Sequence, residues 1–303
     1  MTRKRVVLAG ASGLIGSGLV ETLRERGDHV VTLVRSRPDG DLPPDTQVWG
    51  PRTGSLDPSV LDGTDAVVVL NGAPIAGKRW DEDRKALLRS SRVEPVGTVA
   101  RTMEKMANPP PVLVTASAMG IYGDRGDDVL DETEPVGDGF FAELCGAWEG
   151  ASRPAKAAGV RVVNMRTSLV LSDRGGTLAP MIPLFKLGIG GRIGDGKQWW
   201  SWISDDDCIR AFLHVIDNDI SGPVNVASPN PVTNSEFTKA LGSALHRPTF
   251  LPTPRIGLNI RLGSELADAI AYVSHRLKPA VLEASGFTFT HSTIDSALEA
   301  VLS

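Results

Sequence analysis

Cysteine is nearly absent from this chain of 303 residues: only Cys145 and Cys208 occur. Two thiols so far apart exclude a disulfide framework and a thiolate zinc site. Tyrosine is as scarce, with Tyr122 and Tyr272 alone. Histidines number five, and His29, His214, His246, His275 and His291 never fall at ligand spacing, so no metal site is expected. Charge of neither sign dominates, and a net of −4 argues against a general nucleic-acid binder, which carries a basic excess on one face. No apolar run reads as a membrane span, and no repeat or low-complexity tract is present. Neither nucleic acid nor membrane is therefore expected as a partner, and the oligomeric state stays open.

What is present suits a globular fold. Hydrophobic residues at 41% and charged residues at 22% allow one large α/β domain with a smaller appendage and a sizeable core. The start, MTRKRVVLAGASGLIGSGLV, has the basic and apolar blocks of a signal peptide. Three spaced glycines interrupt its apolar run, however, and the charged segment ETLRERGDHV follows at once. Strand, turn and helix describe it better, and a cytoplasmic protein is expected.

The first half alternates regularly. RVVLA at 5–9 is fit for a buried parallel strand, and Ile15, Leu19 and Leu23 then line one face of a helix that ends at Gly27. HVVTLV, DAVVVLN, PVLVTAS and the run VRVVNMRTSLVL at 160–171 supply further strands. Val96, Val99, Met103 and Met106 share one helical face, as do Leu144, Trp148 and Ala151. Such alternation predicts an α/β fold, a doubly wound Rossmann-like parallel sheet. Beyond residue 172 the sequence turns rich in Gly, Pro and Trp and loses its period, which reads as a loop-rich cap. DDDCIRAFLHVIDN returns to helix, VNVA to strand, and TNSE at 233–236 has the spacing of a capping box. The expected division is a Rossmann-like domain over 1–171, continued by 203–228, with a smaller α+β cap from 172–202 and 229–303.

The main chemical signal is GASGLIG, between the first strand and first helix. Gly10, Gly13 and Gly16, with Ser12, Leu14 and Ile15 between them, form a turn that a phosphate can approach, and the helix behind it offers free N–H groups. The spacing is GxxGxxG rather than GxGxxG. An acidic residue usually follows the second strand in NAD enzymes, to hold the ribose hydroxyls. Here Arg35, Ser36 and Arg37 stand there instead, two guanidinium groups and a neutral donor suited to a 2′-phosphate. NADP(H) is expected rather than NAD. The alternative for these arginines is a solvated surface loop.

With these features in view, the chain resembles the atypical and extended short-chain dehydrogenases/reductases. The resemblance is to their NAD-dependent epimerase/dehydratase branch and, within it, to the "epimerase family" subfamily. It is carried by GASGLIG, PIAGKRW, TASAMGIYGDRGD, AELCGAWE, GDGKQWWSWISDDD and NPVTNSEFTKALG, with LKPAVLEASGFTF like that subfamily's closing segment of unknown function. It implies NADP(H) at the glycine turn and a small-molecule substrate between sheet and cap. Gly72, Ala73, Thr115 and Ala116 would lie near the cofactor. Val69 and Ala73 depart from the family's usual Asn and Glu, and Ser168 from its usual Gly.

The resemblance also implies a Tyr-x-x-x-Lys pair, in which tyrosine passes a proton and lysine lowers its pKa from about 10. Ser117 fits the serine that accompanies the pair. Counting forward from it reaches FFAELC, where Phe141 and Cys145 take the two places. Neither residue can do the work. Tyr122 and Glu143 are candidate substitutes, against the alternatives that Tyr122 packs beneath the cofactor and Glu143 is a solvated helix residue. For the substrate, Arg166, Gln198, Trp199 and Trp202 are candidates. Arg166 could neutralise an anion or pair with Asp206 or Asp207, and at least one tryptophan is expected in the cap's core. Three readings stand: an oxidoreductase or epimerase with a substitute acid, an NADP(H)-occupied redox sensor, and an interaction module stabilised by its cofactor.

Overall fold

In a computed structural model of the protein, residues 3–36, 42–254, 259 and 263–303 are described. The chain opens with β1 (Arg5–Ala9), whose Val6, Val7, Leu8 and Ala9 are fully buried. Apolar residues at every position mark a strand covered on both faces. Helix α1 (Leu14–Glu25) returns the chain to β2 (His29–Val34), and β3 (Thr46–Val48) closes that edge. The chain then crosses back to β4 (Ala66–Val69), on the other side of β1. After α2 (Glu82–Glu104) come β5 (Val112–Ala118), the short β6 (Val129–Leu130), α3 (Phe140–Gly150), α4 (Arg153–Ala157) and β7 (Arg161–Thr167).

The run read as one strand over 160–171 is two. Ser168 breaks it: its N–H and hydroxyl both donate to Val226 O, at 3.1 and 2.8 Å, while Leu169 N turns to Ser201 O. Residues Leu169–Ser172 (β8) thus leave the main sheet and pair with β9 (Gly175–Gly176). Next come α5 (Ile182–Lys186), β10 (Trp199–Trp200), β11 (Trp202–Ser204) and α6 (Asp205–Asp217). Strand β12 (Gly222–Val226) then rejoins the main sheet beside β7. The sheet has seven strands in the order β3-β2-β1-β4-β5-β7-β12, all parallel. The order reverses at β1, and ligands of open α/β sheets bind at such a point.

Each face of the sheet has its own core. On one side Leu19, Leu23, Phe212 and Ile216 from α1 and α6 cover Val6, Leu8 and Val114. On the other, Val96, Val99, Met103 and Trp148 cover Val7, Val67 and Leu113. The cap is smaller. Strand β10 pairs with β13 (Val232–Thr233), and α7 (Asn234–Ala244) starts from the capping box read in the sequence, Thr233 and Glu236 exchanging hydrogen bonds. Trp202, Trp200, Phe237, Leu241 and Leu298 form the cap's core.

Trp202 therefore corrects one expectation. It is fully buried, and its Nε1 donates to Asn230 O at 3.1 Å, so it is core and not a substrate contact. Replacing it by Ala should lower stability by roughly 3–5 kcal/mol, as deletion of a buried aromatic does, and urea unfolding would measure the loss.

Candidate functional site

The turn after β1 is built around two close approaches. Gly10 has φ +94, and a Cβ there would lie 2.9 Å from Leu70 C at the end of β4. At Gly16 a Cβ would meet Gly10 O at 2.1 Å, so the first turn of α1 can pack on the strand end only through a glycine. Gly13 differs. It is exposed, and a Cβ there would meet its own chain no closer than Gly10 O at 3.5 Å. Among the described residues nothing requires glycine at that position.

Helix α1 begins at Gly13 with no side-chain cap and no acidic residue in its first turn. The first N–H groups of a helix have no partners within it. Those from Leu14 to Gly16, with exposed Ser12 beside them, present donors and a positive end to a ligand. Register pairs Ala9 with Leu33, so exposed Arg35 and Ser36 stand at the same end of the sheet, on the neighbouring strand. Arg37 lies outside the described residues. These groups fit a phosphorylated dinucleotide.

Beyond β4, Gly72 is exposed and Ala73 half-buried. Ala73 N donates to Ser91 Oγ at 3.0 Å, and its carbonyl accepts from Arg92 at 2.9 Å. Pro95, within α2, cannot donate to the carbonyl of Ser91 one turn back. At the end of β5, Thr115 is fully buried and gives its hydroxyl to Asn164 Oδ1 at 2.8 Å, while Ala116 is half-buried.

A buried polar knot ties the ends of β5, β7 and β12 together. Arg166 grips Glu149 with two parallel bonds, Nε to Oε1 at 2.9 Å and Nη2 to Oε2 at 3.1 Å. Ser117 donates to the same Oε1 at 2.7 Å. Arg166 Nη1 donates to Tyr122 Oη at 2.9 Å, and the phenol donates to Asn225 Oδ1 at 2.7 Å. Glu132 Oε1 accepts from Asn225 N and Val281 N. Burial opposes the charge on Arg166, but the bonds and charge of Glu149, with Tyr122, outweigh it and hold the guanidinium above its ordinary value.

This knot corrects three expectations. Tyr122 does not face a cleft: it is fully buried, and burial pushes its phenol up to about 12 against the pull of Arg166. Its place is the packing alternative. Arg166 pairs with Glu149 and with neither Asp206 nor Asp207, Asp207 being bound by Arg210 at 2.7 Å. Ser117 is 3% exposed with its proton committed to Glu149, so it braces the knot.

At the places of the usual pair, Phe141 closes over Gly120, and Cys145 is fully buried. Burial, with the charge of Glu149, pushes its thiol up to about 12. Glu143 is exposed and lines a shallow groove of about 360 Å³ with Glu82, Lys85, Arg89 and Phe140. Trp80 packs edge-on against Phe140 and Phe141 nearby. A separate cavity of about 720 Å³ opens at the other end of the sheet, between Arg3, Asp28, His214 and Phe287, far from this chemistry.

In the cap, Gln198 Nε2 brackets Ile193 O and Ala271 O at 3.1 and 2.9 Å, which fixes a loop. Trp199 is half-buried. Its Nε1 donates to Asp127 at 2.9 Å, and the Arg276 guanidinium lies 4.2 Å from the ring centroid. Glu149, Asn225 and Arg92 were not read from the sequence. For Glu149 a signal existed, because Phe141, Cys145 and Glu149 recur every fourth residue on one face of α3. Asn225 and Arg92 reach the site only through the fold.

The sequence profile of the NAD dependent epimerase/dehydratase family matches residues 6–227, the whole sheet and its glycine turn. The chain belongs to this family. A domain of unknown function, DUF1731, matches residues 253–301. Among members, an epimerase family protein of Mycobacterium bovis is 43% identical over 98% of this chain and 97% of its own length. A chloroplastic relative in Arabidopsis thaliana is 33% identical over 98% of this chain and 86% of its own. A human epimerase family protein (isoform 2), solved with NADPH, superimposes with a TM-score of 0.89 at 29% identity, covering 98% of each chain.

Within this family member the two glycines should separate. Gly16→Ala must displace the Gly10 carbonyl and should impair folding itself. Gly13→Ala should fold normally but bind dinucleotides about tenfold more weakly, because its methyl occupies the phosphate's approach. Thermal unfolding and titration calorimetry on both variants would show the split.

Proposed function

We propose that this protein binds NADP(H) at the glycine turn and uses it for oxidation–reduction of a small molecule, or for an epimerisation through a transient keto intermediate. The observation that carries the reading is the uncapped, acid-free N-terminus of α1 beside the exposed Arg35 and Ser36. NADPH in the human relative supports it. The Arabidopsis relative is chloroplastic, so the family does not keep to one compartment, and the cytoplasm is proposed for this chain. Among the described residues no helix is long and apolar enough to cross a membrane.

When bound, the cofactor would accept a hydride from the substrate or supply one to it. The chain's own residues do the rest. Backbone donors of Leu14, Ile15 and Gly16 hold the diphosphate, and Arg35 and Ser36 receive the 2′-phosphate. Trp80, Phe140 and Phe141 form an aromatic wall beside the reacting region. Ser117 and Tyr122 keep the floor rigid and do not transfer the proton, which passes to and from water or the exposed Glu143. Trp199, at the cap's surface, is the remaining aromatic group for a substrate ring. The sensor reading is favoured by one observation: Phe141 and Cys145 supply neither proton nor cation.

Arg35→Ala should weaken NADPH binding by about tenfold or more and leave NADH within about twofold, as loss of a charge-assisted phosphate contact requires. Equal losses for both would remove its phosphate role. The activity is tested with NADPH deuterated at each C4 position in turn, the purified protein and a metabolite extract. Label appearing in a metabolite establishes hydride transfer and names the substrate. Tight binding with full retention of label excludes net reduction of that extract and leaves the sensor and the closed-cycle epimerisation, the latter requiring its own test with NADP+.

A further inference from the structure

Arg92 projects from α2 beneath the segment that follows β4, and it is 6% exposed. Nη2 holds Ala73 O at 2.9 Å and Nη1 holds Leu88 O at 3.1 Å, with Ser91 Oγ at 3.4 Å. Nε is buried and has no partner among the described residues. The guanidinium lies 5.1 Å from the ring centroid of Trp148. Among the described residues no carboxylate pairs with it.

The groups that might balance this charge are otherwise engaged. Cys145 of α3 acts on it electrostatically, but burial keeps that thiol protonated at neutral pH. Glu149 is taken by Arg166 and Ser117. Burial pulls the Arg92 guanidinium down to about 10, Cys145 opposing and Arg84 adding to the effect. A buried cation without a counter-ion destabilises the fold that contains it, and an anion brought beside it offsets that cost.

A second bare atom sits beside it. Asn71 Oδ1 is buried and accepts no hydrogen bond. Asn71 N is also what a Cβ on Gly10 would approach, at 3.1 Å, so this residue adjoins the glycine turn at the point where the strand order reverses. Gly72, between the two, leaves room for the guanidinium, since a Cβ there would lie 3.1 Å from Arg92 Cζ and Nη2. Among the described residues, a donor and an acceptor without partners thus lie on either side of Gly72, and Asn71 adjoins the glycine turn.

We infer that Asn71 and Arg92 form a polar seat for the dinucleotide, the ligand's diphosphate balancing the Arg92 charge and a ligand hydroxyl donating to Asn71 Oδ1. This rests on the dinucleotide reading above. It adds that binding supplies the counter-charge that the described residues do not give Arg92.

The test uses the full chain, Arg92→Met and Arg92→Lys, with NADPH as probe. Methionine keeps the stem over Trp148 and removes the charge; lysine restores charge without the planar fork. Ligand-free Tm and the NADPH Kd at two salt concentrations are measured. Arg92→Met should bind about tenfold more weakly with a flatter salt dependence, yet show a Tm equal to or above wild type, and Arg92→Lys should recover part of the affinity. A merely structural strut predicts the reverse. A Tm several degrees lower with Kd within about twofold of wild type would overturn the inference. Should Arg92→Met fail to fold, Asn71→Ala carries the question, because its bare oxygen contributes no bond to the empty protein. Affinity about fivefold weaker at unchanged Tm supports the seat, and unchanged affinity removes it. If wild type itself binds no NADPH, the dinucleotide reading fails and the seat falls with it; a wild type that binds, beside variants that bind equally, overturns the seat alone.

Discussion

The contact between the first turn of α1 and the Gly10 carbonyl sets the rest of the structure. With only a hydrogen at Gly16, the helix packs on the end of its own strand, where a methyl would lie 2.1 Å from the oxygen. That approach fixes where α1 starts and aims its unpartnered N–H groups past the end of β1. Gly10 in turn lets the end of β4 come alongside. The three glycines therefore differ: Gly10 and Gly16 answer to the chain's own packing, and Gly13 is under no such constraint from the described residues.

Opposite this turn, the knot around Arg166 does for the far side of the site what the glycines do for the near side. A fully bonded buried ion pair with a phenol and two amides or carboxyls around it holds one geometry, because every partner lost would leave a charge unpaired in a dry interior. Ser117 and Tyr122, both candidates for the chemistry, are drawn here into the scaffold. The rigid floor comes from these bonds, whereas the usual proton donor is missing because Phe141 stands at its place.

Cys145 and Arg92 make a related contrast. The thiol at the lysine's place is neutral because it is buried; the guanidinium one helix away remains a cation in spite of burial. Positive charge persists near the end of β4 although the usual residue for it is gone. That charge is held by a different helix, which a count along the sequence from Ser117 does not reach.

Local pattern sufficed for the sheet and its cofactor end. Continuous apolar runs declare buried parallel strands, the spacing of Ile15, Leu19 and Leu23 declares the helix, and GASGLIG together with the absent acid after β2 declares a phosphate site, since each depends on neighbours in the chain. The capping box at Thr233 was legible for the same reason. What lay beyond reach was contact across the sheet. Whether Tyr122 looks outward, whether Arg166 meets Glu149 or Asp207, whether Trp202 is core, and where one apolar run divides at Ser168 all turn on partners 17 to 103 residues away. Composition assigns such side chains a chemistry; only packing decides whether that chemistry is spent on the fold or left for a ligand.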